Sequence, residues 1–125
     1  MGPLRPLNVQ AGRHLLWWRT RLGRTTAIRH LDLLAVTITP KGYRCIKVYQ
    51  AEEFPTRPAL LWVLAFSPDR YVRVPVTVRA TPGKTWAYYE AGRGRRGYLC
   101  PCGDIERAAD EVDGLLKHRM FPSTW

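Results

Sequence analysis

The chain has 125 residues, 46% of them hydrophobic, which is enough for one compact domain with a modest core and too little for two. Its longest apolar run, Ala59 to Phe66, has eight residues against the roughly 18 that a membrane-crossing helix needs, so no helical span is expected. Twenty Lys and Arg against ten Asp and Glu give a net charge of +10, unevenly spread. Residues 1–30 hold six Arg and no acid, residues 31–66 carry +1, residues 67–103 carry +5, and residues 104–125 carry −2.

Such a field attracts nucleic acid, anionic lipid surfaces or an acidic protein partner. Sixteen of the twenty bases are Arg and Asn occurs once, at Asn8, which is the bias of a GC-rich coding sequence and gives part of the charge a compositional reading. Three cysteines, Cys45, Cys100 and Cys102, are too few for a disulfide framework and point to a reducing, cytoplasmic setting. The apolar stretch Leu15 to Trp18 is too short for a signal peptide.

Residues 1–30 read as a basic tail that turns helical from Arg13 to Leu22, with Leu15, Trp18 and Leu22 on one face and Gly23 as its stop. A basic amphipathic helix suits a membrane surface, nucleic acid or a partner. The same acid-free composition is what translation from an upstream start codon would give. Residues 31–119 are expected to form a single α+β domain, and residues 120–125 a C-terminal tail. Leu31 to Thr39 reads as a strand, joined through Lys41-Gly42 to a second strand, Tyr43 to Gln50.

Ala51 to Pro58, with two acids and two prolines, is a loop, and Ala59 to Phe66 suits a central strand buried on both sides. After a turn at Ser67 to Arg70, Tyr71 to Arg79 alternates cleanly, with Val72, Val74, Val76 and Val78 on the core side. Tyr71, Arg73, Pro75, Thr77 and Arg79 then face water, and Pro75, which cannot donate to a ladder, places the strand at an edge or at a bulge. Thr81-Pro82-Gly83 turns into a Trp/Tyr-rich strand, Lys84 to Ala91, linked by Gly92 to Arg96 to a short strand, Gly97 to Cys100. The last element is a helix from Asp104 to His118: Ile105, Ala108, Ala109, Val112, Leu115 and Leu116 form its apolar stripe, and Asp104 its N-cap. The sum is an antiparallel sheet of five or six strands with one C-terminal amphipathic helix on one face.

Two surfaces are candidates for function. The loop carrying Arg93, Arg95 and Arg96 contains Arg-Gly-Arg, the core of an AT-hook, in which Gly lets the backbone enter a minor groove. Arg96 stands where that family's hook has Pro, and a solvent-exposed hairpin loop explains the same residues. The second surface is the uncovered face of the sheet, where Arg44, Arg73, Arg79 and Tyr71, with Trp86 and Tyr88, would stand side by side as a stacking platform for unpaired bases. Trp, Tyr and Arg equally suit a protein interface. Cys100-Pro101-Cys102 lacks the second ligand pair of a structural zinc site, so no metal or cofactor is expected. At a helix N-terminus one of these thiols is a candidate for reactivity. No nucleotide-binding, hydrolase or metalloprotease motif occurs, and five of the ten acids lie in the last 22 residues, so no catalytic residues are assigned.

The stretch WAYYEAGRGRRGY followed by CGDIERAADEVDGLL resembles a group of small uncharacterised α+β proteins of high-GC actinobacteria. In these a Trp/Tyr-rich strand runs through a Gly/Arg hairpin into one Ala-rich helix. The resemblance covers roughly residues 60–118. It implies no activity, and it suits a bacterial accessory or regulatory protein better than an enzyme. The expectation is therefore a non-enzymatic binding protein that contacts nucleic acid or another polyanion. The alternative is a protein–protein interaction module, a homodimer or a regulatory subunit.

Overall fold

The structure, a computed structural model, describes residues 15, 16, 18–20, 22–48 and 59–121. The expected loop at residues 51–58, the end of the strand at 49–50, and both terminal stretches lie outside these residues. Five strands, β1 (Arg44–Val48), β2 (Leu60–Phe66), β3 (Tyr71–Thr81), β4 (Thr85–Glu90) and β5 (Tyr98–Pro101), form one antiparallel sheet in chain order. Two helices, α1 (Arg24–Ile38) and α2 (Ile105–Met120), pack on the same side of that sheet and on each other. The class is α+β, as expected.

The core lies between sheet and helices. From the strands come Leu61, Val63, Ala65, Val74, Val76, Val78, Tyr88 and Cys100, all buried. From α2 come Ala108, Ala109, Val112 and Leu116, the expected stripe, extended by Met120. Asp104 caps this helix by accepting the Arg107 N–H at 3.2 Å. Tyr88 reaches through the core to donate its hydroxyl to the His30 carbonyl at 2.7 Å, which ties β4 to α1.

The expected strand from Leu31 to Thr39 is helix instead. Ala27, Leu31, Leu34, Ala35 and Ile38 are buried, a spacing of four, three, one and three, while Leu33 and Val36 are exposed. The run is so rich in aliphatic residues that it satisfies both periods, and Val36, Thr37, Ile38 and Thr39 carry the β-branched character that argues for a strand. The helical stripe is distinguished by Ala27, within the segment read as tail. Thr37 and Thr39 donate their hydroxyls back to the Leu33 and Ala35 carbonyls, at 2.8 and 2.6 Å, which keeps them compatible with the helix. Lys41-Gly42 ends the helix rather than turning a hairpin: a 3-10 turn over Thr39–Lys41 is closed by Gly42 at φ +98°, a left-handed conformation that glycine adopts freely.

The described residues before Gly23 are also helical, and Gly23 itself is in a turn. Backbone bonds from Gly23 N–H to the Arg19 carbonyl (2.8 Å) and from Ala27 N–H to the Gly23 carbonyl (3.0 Å) carry the chain into α1. Gly23 is required by packing, since a Cβ there would sit 2.4 Å from the Trp86 ring.

Pro75 is in a central strand, not an edge strand. The β3–β4 ladder runs only from Val76↔Glu90 to Thr81↔Thr85, so Pro75 lies one residue past its end. Its carbonyl still accepts the Ala91 N–H at 2.8 Å. A strand residue's nitrogen and carbonyl point to the same neighbour, so the absent N–H falls where β4 has already turned away.

The helix puts Leu31 and Leu34 on one face, which a strand would put on opposite faces. Leu31→Ala and Leu34→Ala, which empty fully buried positions, are each expected to cost about 2–5 kcal/mol, and Leu33→Ala less than about 1 kcal/mol. Urea unfolding of the three variants checks it; a large loss at only one of Leu31 and Leu34 would contradict the helix.

Candidate nucleic-acid interface

Side chains alternate across a strand, so the residues between the core positions all project to the face away from the helices. Register aligns them across the sheet. Arg44 pairs with Leu64 and Leu64 with Arg73; Ile46 pairs with Trp62 and Trp62 with Pro75; Phe66 pairs with Tyr71. On the other side Thr77 pairs with Tyr89, Tyr89 with Tyr98, and Arg79 with Ala87. The structure thus brings Arg44, Tyr71, Arg73 and Arg79 onto one open face, in agreement with their expected places.

Each of these three arginines lies over a ring on the adjacent strand, displaced two residues from its direct partner. Arg44 stacks on Phe66 at 5.4 Å, Arg73 on Trp62 at 4.7 Å and Arg79 on Tyr89 at 5.3 Å. Diagonal neighbours in a sheet are about 7–8 Å apart at Cα, within reach of a long side chain. Phe66 and Tyr71 pack at 5.8 Å between centroids, and Tyr89 meets Tyr98 edge-to-face at 5.5 Å. Phe66, Tyr71 and Tyr98 remain exposed. Thr77 is buried on this face and donates its hydroxyl to the Ala59 carbonyl at 2.8 Å.

Trp86 and Tyr88 are not on this face. They pair with Ala80 and Val78, both core-side residues, and so point toward the helices. Trp62, Phe66, Tyr89 and Tyr98 take their place, and the reason lies in the turns. Ser67 to Arg70 closes a hairpin by the Ser67 N–H to Arg70 carbonyl bond of 2.8 Å, which sets Phe66 opposite Tyr71. Pro82 to Lys84 likewise sets Thr81 opposite Thr85. Counting outward from those pairs puts Trp62 and Tyr89 beside the arginines.

Among the described residues the face carries no carboxylate. Asp32 and Asp110 bind Lys47 and Lys41 on the helix side, at 3.0 and 3.6 Å. Burial alone would push Asp113 up. The Tyr43 hydroxyl that donates to it, together with Lys117 and Lys41, holds it below the usual carboxylate range.

The Arg-Gly-Arg segment is folded back on itself. Gly94–Gly97 is a 3-10 turn with Gly94 at φ +56°, not an extended hook. Arg93 is committed to Glu90, Nε to Oε1 at 3.3 Å, and Arg119 donates to the other Glu90 oxygen at 2.5 Å. Glu90 is buried, and two guanidinium partners offset the desolvation of its charge. Gly97 closes the turn, since a Cβ there would meet the Glu90 carbonyl oxygen at 2.3 Å. Arg95 and Arg96 are exposed. The loop therefore offers two arginines rather than three.

Cys100 and Cys102 are not activated by the neighbouring helix. Burial raises both thiols, Cys102 to about 12. Among the described residues no three His, Cys, Asp or Glu come together as a metal site, and no helix is long and apolar enough to cross a membrane. Comparison with known protein families, characterised proteins and solved structures finds no match to this chain.

The raised Cys102 thiol has a pH signature. An unfolded thiol ionises near 9.0, whereas the folded one keeps its proton to about 12. Above pH 9 the unfolded chain binds fewer protons than the folded one, so this contribution is constant below pH 9 and is lost between pH 9 and 12. Thermal midpoints measured across that range should fall less steeply in Cys102→Ala; identical slopes would contradict the assignment.

Proposed function

We propose that the protein is a non-enzymatic binding or regulatory protein whose open sheet face takes single-stranded nucleic acid. The observation that carries this reading is the acid-free row of guanidinium–ring stacks, Arg44 on Phe66, Arg73 on Trp62 and Arg79 on Tyr89, with Tyr71 exposed beside them. Phosphates need positive charge without competing carboxylates, and unpaired bases need flat apolar surfaces. Holding a guanidinium against a ring fixes where its donors point before a phosphate arrives. A duplex is less well suited, because a broad sheet face presents no narrow element for a groove. Arg95 and Arg96 add sequence-independent charge at one corner.

Fluorescence anisotropy of labelled mixed-sequence single-stranded DNA and RNA, titrated from low to moderate salt, tests the reading. Affinity should fall steeply with salt, at about 0.7 of a log unit per log unit for each phosphate engaged. Replacing Arg44, Arg73 and Arg79 together by Ser should flatten that slope by about 2. Tyr71→Ala should weaken binding by about 1–3 kcal/mol with the slope unchanged. No binding at low salt, or equal binding by the triple variant, would refute it. A salt-resistant dimer that Tyr71→Ala dissociates would make the face a protein interface instead.

A further inference from the structure

A helix ordinarily docks on its domain by its apolar side and leaves its polar side to water. Of the described helical residues before Gly23, Arg19 and Thr20 make the polar docking contacts and Leu16 is half-buried, while three apolar residues stay exposed. Arg19 donates to the Thr81 carbonyl at 2.9 Å and to the Thr85 carbonyl at 3.3 Å, and its guanidinium lies 5.8 Å from the centre of the Trp86 ring. The Thr20 hydroxyl accepts the Ala80 N–H at 3.0 Å. The polar residues are thus bound to the β3–β4 hairpin. Leu15, Trp18 and Leu22, at helical spacing, are 64%, 45% and 81% exposed. Leu33 and Val36 in α1 resume the exposed apolar positions, at 48% and 70%.

The sequence that carries this stripe has charge of one sign. Residues 1–30 hold six arginines and no acid, and Arg29, between Leu22 and Leu33, is exposed. The first acid in the chain, Asp32, pairs with Lys47 at 3.0 Å. A second copy on the stripe would bring one arginine-rich segment against another, which like-charge repulsion opposes. A nucleic-acid backbone has no use for exposed leucines. An anionic lipid surface satisfies both features, since its headgroups attract the arginines and its acyl boundary takes the Leu and Trp side chains.

We propose that the stripe of Leu15, Trp18 and Leu22 seats the protein on the surface of an anionic bilayer, lying in the headgroup layer without crossing it. This surface is separate from the open sheet face, and it stands whether or not that face binds nucleic acid.

Co-sedimentation of the full chain with vesicles of equal phosphatidylglycerol and phosphatidylcholine, and with vesicles of phosphatidylcholine alone, tests it. Binding is expected to the anionic vesicles and to be weak to the neutral ones. The double variant Leu15→Ser/Leu22→Ser keeps the net charge and alters exposed positions, and it should partition about tenfold less. Leu22→Lys separates insertion from simple attraction: it adds a positive charge and removes an apolar side chain, so insertion predicts weaker binding and attraction alone predicts tighter. The variant lacking Arg44, Arg73 and Arg79 should still bind vesicles, so a failure here is distinct from a failure of the nucleic-acid reading. Four results would overturn the proposal: parent-like partitioning of the double variant, tighter binding by Leu22→Lys, equal binding to neutral vesicles, or a dimer in light scattering that the double variant dissolves.

Discussion

Two short turns hold this molecule in order. Ser67 to Arg70 and Pro82 to Lys84 fix the register of β2, β3 and β4, and because side chains alternate, a slip of one residue would exchange the two faces of the sheet. In the native register Val74, Val76 and Val78 meet the helices while Arg73 and Arg79 meet solvent. Every property of the open face follows from that sorting. Gly83 and Lys84 adopt positive φ, +81° and +59°, to make the second turn this tight, so backbone freedom at one corner sets where Tyr89 lies relative to Arg79.

The same sorting separates charge. Asp32, Asp110 and Asp113 of the helices, together with Glu90, are drawn into pairs with Lys47, Lys41, Lys117, Arg93 and Arg119. The bases of the open face find rings instead. An exposed guanidinium–ring contact is worth about 0.5–1 kcal/mol, too little to organise a fold but enough to favour one orientation of a flexible side chain. The open face thus keeps its charge available, whereas the charges under the helices are largely consumed by structure.

Most of the fold was legible in the sequence, and the exceptions fall where a local signal is ambiguous or a tertiary contact decides. The alternation of β3 and the stripe of α2 each satisfy a single period and form as expected, except that Thr77, expected to face water, is buried on the open face. Leu31 to Thr39 satisfies two periods at once, and the choice of helix shows only in which of its aliphatic residues are buried, Leu31, Leu34, Ala35 and Ile38 with Ala27 but not Leu33 or Val36. Composition alone puts Trp86 and Tyr88 on the open face, although the three-residue turn at Pro82 to Lys84 already places Tyr89 there. Pro75 argues for an edge strand or a bulge, but the property that matters is where the neighbouring ladder ends, and that is a tertiary fact. The pairing of Arg93 with Glu90 was not legible, because it depends on the burial of Glu90 beneath Arg119 at the end of α2.

The N-terminal segment shows how a stretch that reads as a tail is wired into a domain. Its attachment uses backbone groups of Ala80, Thr81 and Thr85, and it leaves Leu15 and Leu22 exposed. Those groups belong to the hairpin from which Arg79 projects on the opposite side of the sheet. Ala80 and Thr81 are held by the helix, Arg79 by the Tyr89 ring, and Trp86 fills the space under Gly23. Removing the helix would leave the Ala80 N–H and the Thr81 carbonyl without these partners and would uncover Trp86 at the tip of that hairpin. The segment before Gly23 therefore braces the strand that presents the open face, while its own apolar side stays turned outward.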